Sequence, residues 1–371
     1  MKKKQGRKIL LAILGIILLG VIIFVVSFFV GGKMAENDCI EAQILRVEEL
    51  AELYASGDAE KVDEQSFCTF DLDDISEYQY NDLQVLASHN SYKLYQPTLS
   101  YLFASTVYPI VGEDGDVMNY ENPTTTEQLN MGIRSFEWDI QEYSGEFDGY
   151  IVQHEAYIDC CSSIPNLELA FEEIAMWSEY NEDHMPITII IECKDTVVPD
   201  YGKEDITDGE TLYEMSLMIA EVLGDSLYTP SEMLGDYDTM LDMRLDDAYP
   251  TLDELQGKII VILHYGSYCE SYAQTVDFDD QLLFTALGDE NSCFTIENDS
   301  QTNVTPLIEA IEENFIVRTR INEWGYLDYN SEVEEFALSI GANILTSDYL
   351  DDQMFDEVSR IDGEYFMCVR G

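Results

Sequence analysis

The sequence predicts an α/β protein, a (β/α)8 TIM-type barrel preceded by an N-terminal transmembrane helix. Three observations lead there: one long apolar run near the N terminus, eight short β-branched or apolar runs beyond residue 81, and helical stretches between those runs.

The first element begins after Lys2, Lys3, Lys4, Arg7 and Lys8, where residues 9–30 are all apolar or small. At about 1.5 Å per residue that run makes roughly 33 Å of helix, enough to cross a hydrocarbon core of about 30 Å. A cleavable signal has a shorter apolar region and a small-x-small site behind it, and Gly31-Gly32-Lys33 offers no clear one. The positive-inside rule keeps the basic residues in the cytoplasm. Residues 1–32 therefore read as a cytoplasmic tail and a single-pass plasma-membrane anchor, with everything beyond them extracytoplasmic.

Residues 33–80 read as a stalk. Ile40, Ile44, Val47, Leu50, Ala51 and Tyr54 recur at helical spacing, and a polar stretch follows from residue 56. Residues 81–371 read as the barrel, with strands at 83–88, 133–140, 150–153, 187–191, 258–263, 294–297, 315–320 and 343–346. Several of these runs are apolar throughout, as parallel strands buried on both faces are. Helical patterns at 167–180, 212–222 and 333–340 supply crossovers.

Charge narrows the partners. The chain has 74 Asp and Glu against 18 Lys and Arg, too few cations for the basic stripe that a phosphate backbone requires, so nucleic acid is excluded. With 46% apolar and 12% aromatic residues, whole-chain disorder is excluded too. All eight cysteines lie beyond the apolar run, where disulfides are permitted, and structural bridging of some of them is expected.

In such barrels the chemistry sits at the C-terminal ends of the strands. The first strand ends in His89-Asn90, the second carries Glu137 and Asp139, and the third ends in His154. The fourth ends in Glu192 followed by Lys194, the fifth in His264, the seventh carries Arg318 and Arg320, and the eighth ends in Asp348. A lone histidine at a strand end is more often a structural hydrogen-bonder. Convergence with carboxylates on one rim argues against that for His89 and His154. His264 keeps the structural reading, and His184, in a loop before Met185-Pro186, reads as solvated. Glu137 and Asp139 are two apart on one strand and face the same way. Together with Asn90 and Glu192 they make an all-oxygen set suited to Ca2+ or Mg2+ rather than zinc.

The stretch Ala87-Ser88-His89-Asn90-Ser91-Tyr92, the block from Gln128 to Asp139, His154, and Pro186 to Lys194 as PITIIIECK resemble the catalytic X region of phosphoinositide-specific phospholipases C. Val317-Arg318-Thr319-Arg320 and the segment from Ala342 to Tyr349 are similar to the bacterial Ca2+-dependent group in particular. The resemblance implies His89 and His154 as a catalytic pair and Asn90, Glu137, Asp139 and Glu192 as Ca2+ ligands. It implies Arg134, Lys194 and Arg320 near the substrate phosphate. It departs at Asn322, where an acidic residue is expected soon after the strand, and at His264, where a carboxylate is expected. The implied reaction is attack by an inositol 2-hydroxyl on the adjacent phosphorus of a phosphoinositide lipid, with His154 as acid, His89 as phosphate stabiliser and either Glu137 or Glu192 as base. Two alternatives stand beside it: a glycerophosphodiester phosphodiesterase, which usually shows H-R-G and H-D where this chain has His89-Asn90 and His154-Glu155, and a catalytically idle surface barrel that binds a ligand.

Overall fold

The computed structural model describes residues 2–111, 115–195, 200 and 202–370. Its strands are β1 (Leu83–Ser88), β2 (Ser135–Ser144), β3 (Asp148–Val152), β4 (Ile187–Cys193), β5 (Lys203–Glu204), β6 (Ile259–Leu263), β7 (Phe284–Thr285), β8 (Phe294–Ile296), β9 (Ile316–Asn322), β10 (Ile344–Ser347) and β11 (Met367–Val369). The helices are α1 (Lys2–Ser56), α2 (Thr98–Val111), α3 (Thr125–Met131), α4 (Leu167–Tyr180), α5 (Gly209–Leu223), α6 (Pro230–Leu234), α7 (Met240–Leu245), α8 (Ser267–Thr275), α9 (Thr305–Glu312) and α10 (Ser331–Ile340).

The strands form two arcs, β3-β2-β4-β6-β7 and β11-β1-β10-β9-β8. Within them β2-β4-β6-β7 and β1-β10-β9-β8 pair in parallel, which makes the barrel wall. The wall is not one closed ladder. Ser91 stitches β1 to β2 by donating its N–H to the Glu137 carbonyl at 3.1 Å and accepting the Glu137 N–H at its hydroxyl, 2.8 Å away. At the other seam Phe284 of β7 meets Phe294 of β8 edge-on at 5.0 Å.

The run at 150–153 is not a wall strand. It belongs to β3, which pairs antiparallel with β2, because the link from Ser144 to Asp148 is far too short for the dozen or more residues of a parallel crossover. The eighth wall position belongs to β7, whose two residues are too few to show a pattern in sequence.

Alternation along the strands separates two apolar layers. Phe136, Trp138, Ile140, Ile189 and Ile191 pack outward under the helices, whereas Val85, Ala87, Ile190, Ile260 and Ile262 fill the barrel interior. Local signals fix the helix ends. Thr124 and Glu127 form a capping box at α3, and Gly132 ends it with φ of 103°. A Cβ on Gly132 would also come within 2.6 Å of the Phe67 ring, so both backbone and space call for glycine.

The stretch 33–80 does not stand off as a stalk. α1 continues unbroken to Ser56 and lies along the barrel wall: Gln43 exchanges two hydrogen bonds with the backbone of Asn166, and Arg46 pairs with buried Glu173 at 2.9 Å. Short 3-10 turns, among them Glu64–Phe67, then cover the floor of the barrel. His184 is not solvated either. It is 1% exposed, with Nδ1 at 2.7 Å from the Met185 carbonyl and Nε2 at 2.7 Å from the Ser178 hydroxyl, and burial pushes its pKa down to about 4. All eight cysteines are free thiols, contrary to the bridging expected from their location.

Candidate functional site

The C-terminal ends of the wall strands surround a cavity of about 710 Å³. His89, Asn90, Glu137, His154, Glu192, Lys194 and Arg320 line it, together with His264, Arg318, Asp348, Asp159 and Lys93.

The turn after β1 presents two of these side chains. Asn90 has φ of 43°, a left-handed conformation that asparagine tolerates, and the Asn122 side chain pins the turn by donating to the carbonyls of His89 and Asn90 at 3.1 and 3.0 Å. The His89 Nδ1 then lies 3.1 Å from Asp348 at the end of β10, while its Nε2 faces Glu323 at 4.0 Å. Burial alone would lower the His89 pKa, but Asp348, Glu137 and Glu323 outweigh it and raise it to about 9. The imidazole is therefore cationic at neutral pH.

β2 and β4 supply the carboxylates. Asp139 and Glu192 are register neighbours on adjacent parallel strands, so they share a face, and Glu137 lies two residues back on the same side. Burial works against ionisation of Glu137, yet the Arg318 guanidinium, 2.5 Å away, and His89 hold its carboxyl down at about 2. Burial pushes Asp139 up to about 6, with Lys194 opposing and Glu192 adding to the rise. Lys194 sits 3.0 Å from Glu192 and 3.5 Å from Asp139. The Tyr92 hydroxyl donates to Asp139 Oδ2 at 2.8 Å.

Asp139 Oδ1 is buried without a hydrogen-bond partner, and donor atoms of Glu137, Glu192 and His264 lie within 4.8 Å of one another. An orphaned carboxylate oxygen beside a tight donor cluster fits a divalent cation. His264 adds a nitrogen to the oxygen set read from the sequence.

His154 follows β3, with Nδ1 3.1 Å from Asp159. Lys93, buried, holds the other oxygen of Asp159 at 2.5 Å. Burial opposes the charge on Asp159, but Lys93 and His154 bring its pKa down to about 2. The two histidines thus each have a carboxylate behind them.

Arg134 is not part of this group. It precedes β2, at the opposite end of the barrel, where it is fully buried, donates to the carbonyls of Leu129 and Ile133 at 2.7 and 2.8 Å, and pairs with Glu64. The rings of Trp177 and Phe67 flank it at 4.9 and 5.7 Å. Its place in the sequence block reflects the floor of the barrel. Conversely, Asp159, Lys93, Tyr92 and Glu323 were missed as site residues, because they lie on loops and turns whose return to the rim no spacing rule encodes. Glu323, one position beyond Asn322, supplies the carboxylate expected after that strand and holds Arg320 at 2.6 Å.

An acidic, histidine-bearing rim at the C-terminal ends of barrel strands is a site suited to metal-assisted acid–base chemistry. The comparisons narrow it: the model of the Ca2+-dependent phosphoinositide phospholipase C family matches residues 144–367, more than half of the chain, and the chain belongs to that family. Among solved structures it is similar to a calcium-dependent phosphoinositol-specific phospholipase C from a Pseudomonas species, at 16% identity and a TM-score of 0.54 over 82% of this chain and 97% of that one. It is also similar to the Ca2+-dependent phosphatidylinositol-specific phospholipase C of Streptomyces antibioticus, at 15% identity and a TM-score of 0.51 over 73% of this chain and 95% of that one. These likenesses show the TIM-like fold. No curated protein matches the chain in sequence.

Proposed function

We propose that this protein is a Ca2+-dependent phosphodiesterase that cleaves phosphatidylinositol-type lipids to diacylglycerol and an inositol phosphate, anchored by α1 with its barrel outside the plasma membrane. The observation that carries the reading is the convergence of the two histidine–carboxylate pairs, His89 with Asp348 and His154 with Asp159, on one cavity with Glu137 and Glu192.

Asn90, Glu137, Asp139 and Glu192 would hold the cation, with His264 beside them. When bound, Ca2+ lowers the pKa of the attacking hydroxyl and offsets charge on the phosphoryl oxygens. His89, kept cationic by Asp348, faces the phosphate as a fixed positive charge, and Arg320 and Lys194 add to it. His154, oriented by Asp159, protonates the leaving glycerol oxygen. Glu137 is a weak proton acceptor because Arg318 holds it ionised, which leaves Glu192, half-buried at the cavity wall, to take the proton of the 2-hydroxyl. The phosphorus–oxygen bond to inositol O2 forms as the bond to glycerol breaks, so the first product is a cyclic phosphate.

Release of water-soluble inositol phosphate from phosphatidylinositol vesicles, with Ca2+ and with excess chelator, tests this. Full turnover in chelator sinks the metal assignment, and no turnover in either condition sinks the substrate.

A further inference from the structure

Three of the eight cysteines meet where α1 crosses the loop behind the rim. Gly32, Glu36 and Gln43 belong to the buried stripe by which α1 packs on the barrel, and half-buried Cys39 falls at helical spacing between Glu36 and Gln43. That stripe runs along residues 157–166. Gly32 lies against Tyr157, the Cys160 thiol donates to the Gly32 carbonyl at 3.6 Å, and the Gln43 side chain exchanges hydrogen bonds with Asn166. Cys39 is thereby set opposite Cys161, and the two thiols are in hydrogen-bonding contact, as are those of Cys161 and Cys160.

The three sulfurs form a row rather than a metal triangle. Among the described residues, the group of three His, Cys, Asp or Glu donors within 4.8 Å of one another is Glu137, Glu192 and His264, and no cysteine joins it. Cys161, in the middle of the row, has two neighbours to pair with. Cys160 is the poorer one: no peptide bond among the described residues is cis, and adjacent Cα atoms across a trans peptide are about 3.8 Å apart, short of the roughly 4.4–6.8 Å that a disulfide spans. Cys39 comes from another element and escapes that limit.

We infer that Cys39 and Cys161 are joined by a disulfide in the exported protein, and that this bond fastens α1 to the loop that carries Asp159. The inference rests on the reading of α1 as an anchor with the barrel outside the plasma membrane, where disulfides form and persist. The oxidant is a disulfide-bearing protein or small molecule of that compartment. Its disulfide is attacked by the Cys39 sulfur, the more exposed of the two, releasing one thiol; the Cys161 sulfur then attacks Cys39, closing the bond and releasing the second thiol. Two electrons and two protons thus pass from the pair to the oxidant.

The timing follows from the thiols' surroundings. The Cys161 thiol and burial hold the Cys39 pKa well above the ordinary thiol range, and Cys160 and burial push Cys161 up to about 12. Thiolate is scarce once α1 is packed, so the bond closes while the exported chain is still folding. Its place gives it a role at the site. Asp159, two residues before Cys161, stands behind His154, and the loop between them has no helix and only the isolated bridge of Glu155 with Asp159. Beyond it the Cys161 N–H donates to the Gln96 side chain at 3.0 Å.

The test uses the full chain, extracted in detergent without reductant, its free thiols alkylated on unfolding. Peptide mapping by mass spectrometry should find Cys39 linked to Cys161 and Cys160 alkylated. Cys39 and Cys161 both alkylated, or Cys161 linked to Cys160, overturns the inference. If oxidised glutathione then joins Cys39 to Cys161 in the isolated protein, the fault lies in placing the barrel outside the membrane and not in the geometry. In thermal melts at fixed Ca2+, Cys39→Ser and Cys161→Ser should each melt roughly 5–10 °C below wild type, and the gap should close once a small phosphine has opened the bond in wild type. A gap that persists after reduction reports lost packing and counts against the bond. Cys160→Ser should keep the reductant sensitivity of wild type. Backbone amides at 155–161 should exchange hydrogen several-fold faster in Cys39→Ser than in oxidised wild type, and equal exchange would overturn the fastening of the loop.

Discussion

The two ends of the barrel each bury an arginine–glutamate pair, and the pairs do different work. At the floor, Arg134 and Glu64 are enclosed by carbonyl oxygens and by the faces of Phe67 and Trp177. At the rim, Arg318 and Glu137 face a cavity, and beside them a carboxylate oxygen of Asp139 has no partner. A buried charge walled off by protein on every side serves the fold, and one that faces a cavity is accessible to a ligand. The contrast also separates Arg134 from the residues with which it shares a sequence block.

The comparison breaks most visibly in activity. His154→Ala and His89→Ala should each lower turnover of phosphatidylinositol about 10²–10⁴-fold with little change in thermal stability, since rim side chains carry little core packing. Near-normal turnover in His154→Ala would remove it from the acid role. At the floor the signs reverse: Glu64→Ala, which strands the Arg134 guanidinium in the interior, should cost about 3–5 kcal/mol of stability in urea unfolding while the remaining folded protein keeps its specific activity. A loss of activity without loss of stability would put Arg134 back at the site.

Acidification should strike below the rim first through His184. Its folded pKa, about 4, lies below the unfolded value of about 6.5, so the unfolded chain binds more protons between those limits. Stability falls as pH drops from about 6.5 to 4, by roughly 3 kcal/mol, and then levels. Melts of wild type against His184→Gln across that window check this, and parallel curves would refute it. The smallest effect is that of the cation: Ca2+ at about 100 times its dissociation constant should add about 2.7 kcal/mol to wild type. Asp139→Asn should lose most of that gain, and an unchanged Ca2+-dependent shift in the variant would falsify the ligand set.

Much of this architecture was legible in the linear chain, because its signals are local. The continuous apolar runs of β4 and β6, the capping box at α3 and the length of the apolar run in α1 are each set within one element. The rim positions of His89, Glu137 and Glu192 follow from period-two alternation and from lying at strand ends. Tertiary structure decided the rest. Burial of His184, the packing of α1 on α4, and the hairpin made by β3 depend on what arrives from elsewhere in the chain. So do Asp348 behind His89 and Lys93 behind Asp159, partners 259 and 66 residues apart, whose fields set the charges at the rim. A sequence fixes which groups can ionise. Only the fold fixes the dielectric around them and the opposite charge at 3 Å, and those decide which of them do.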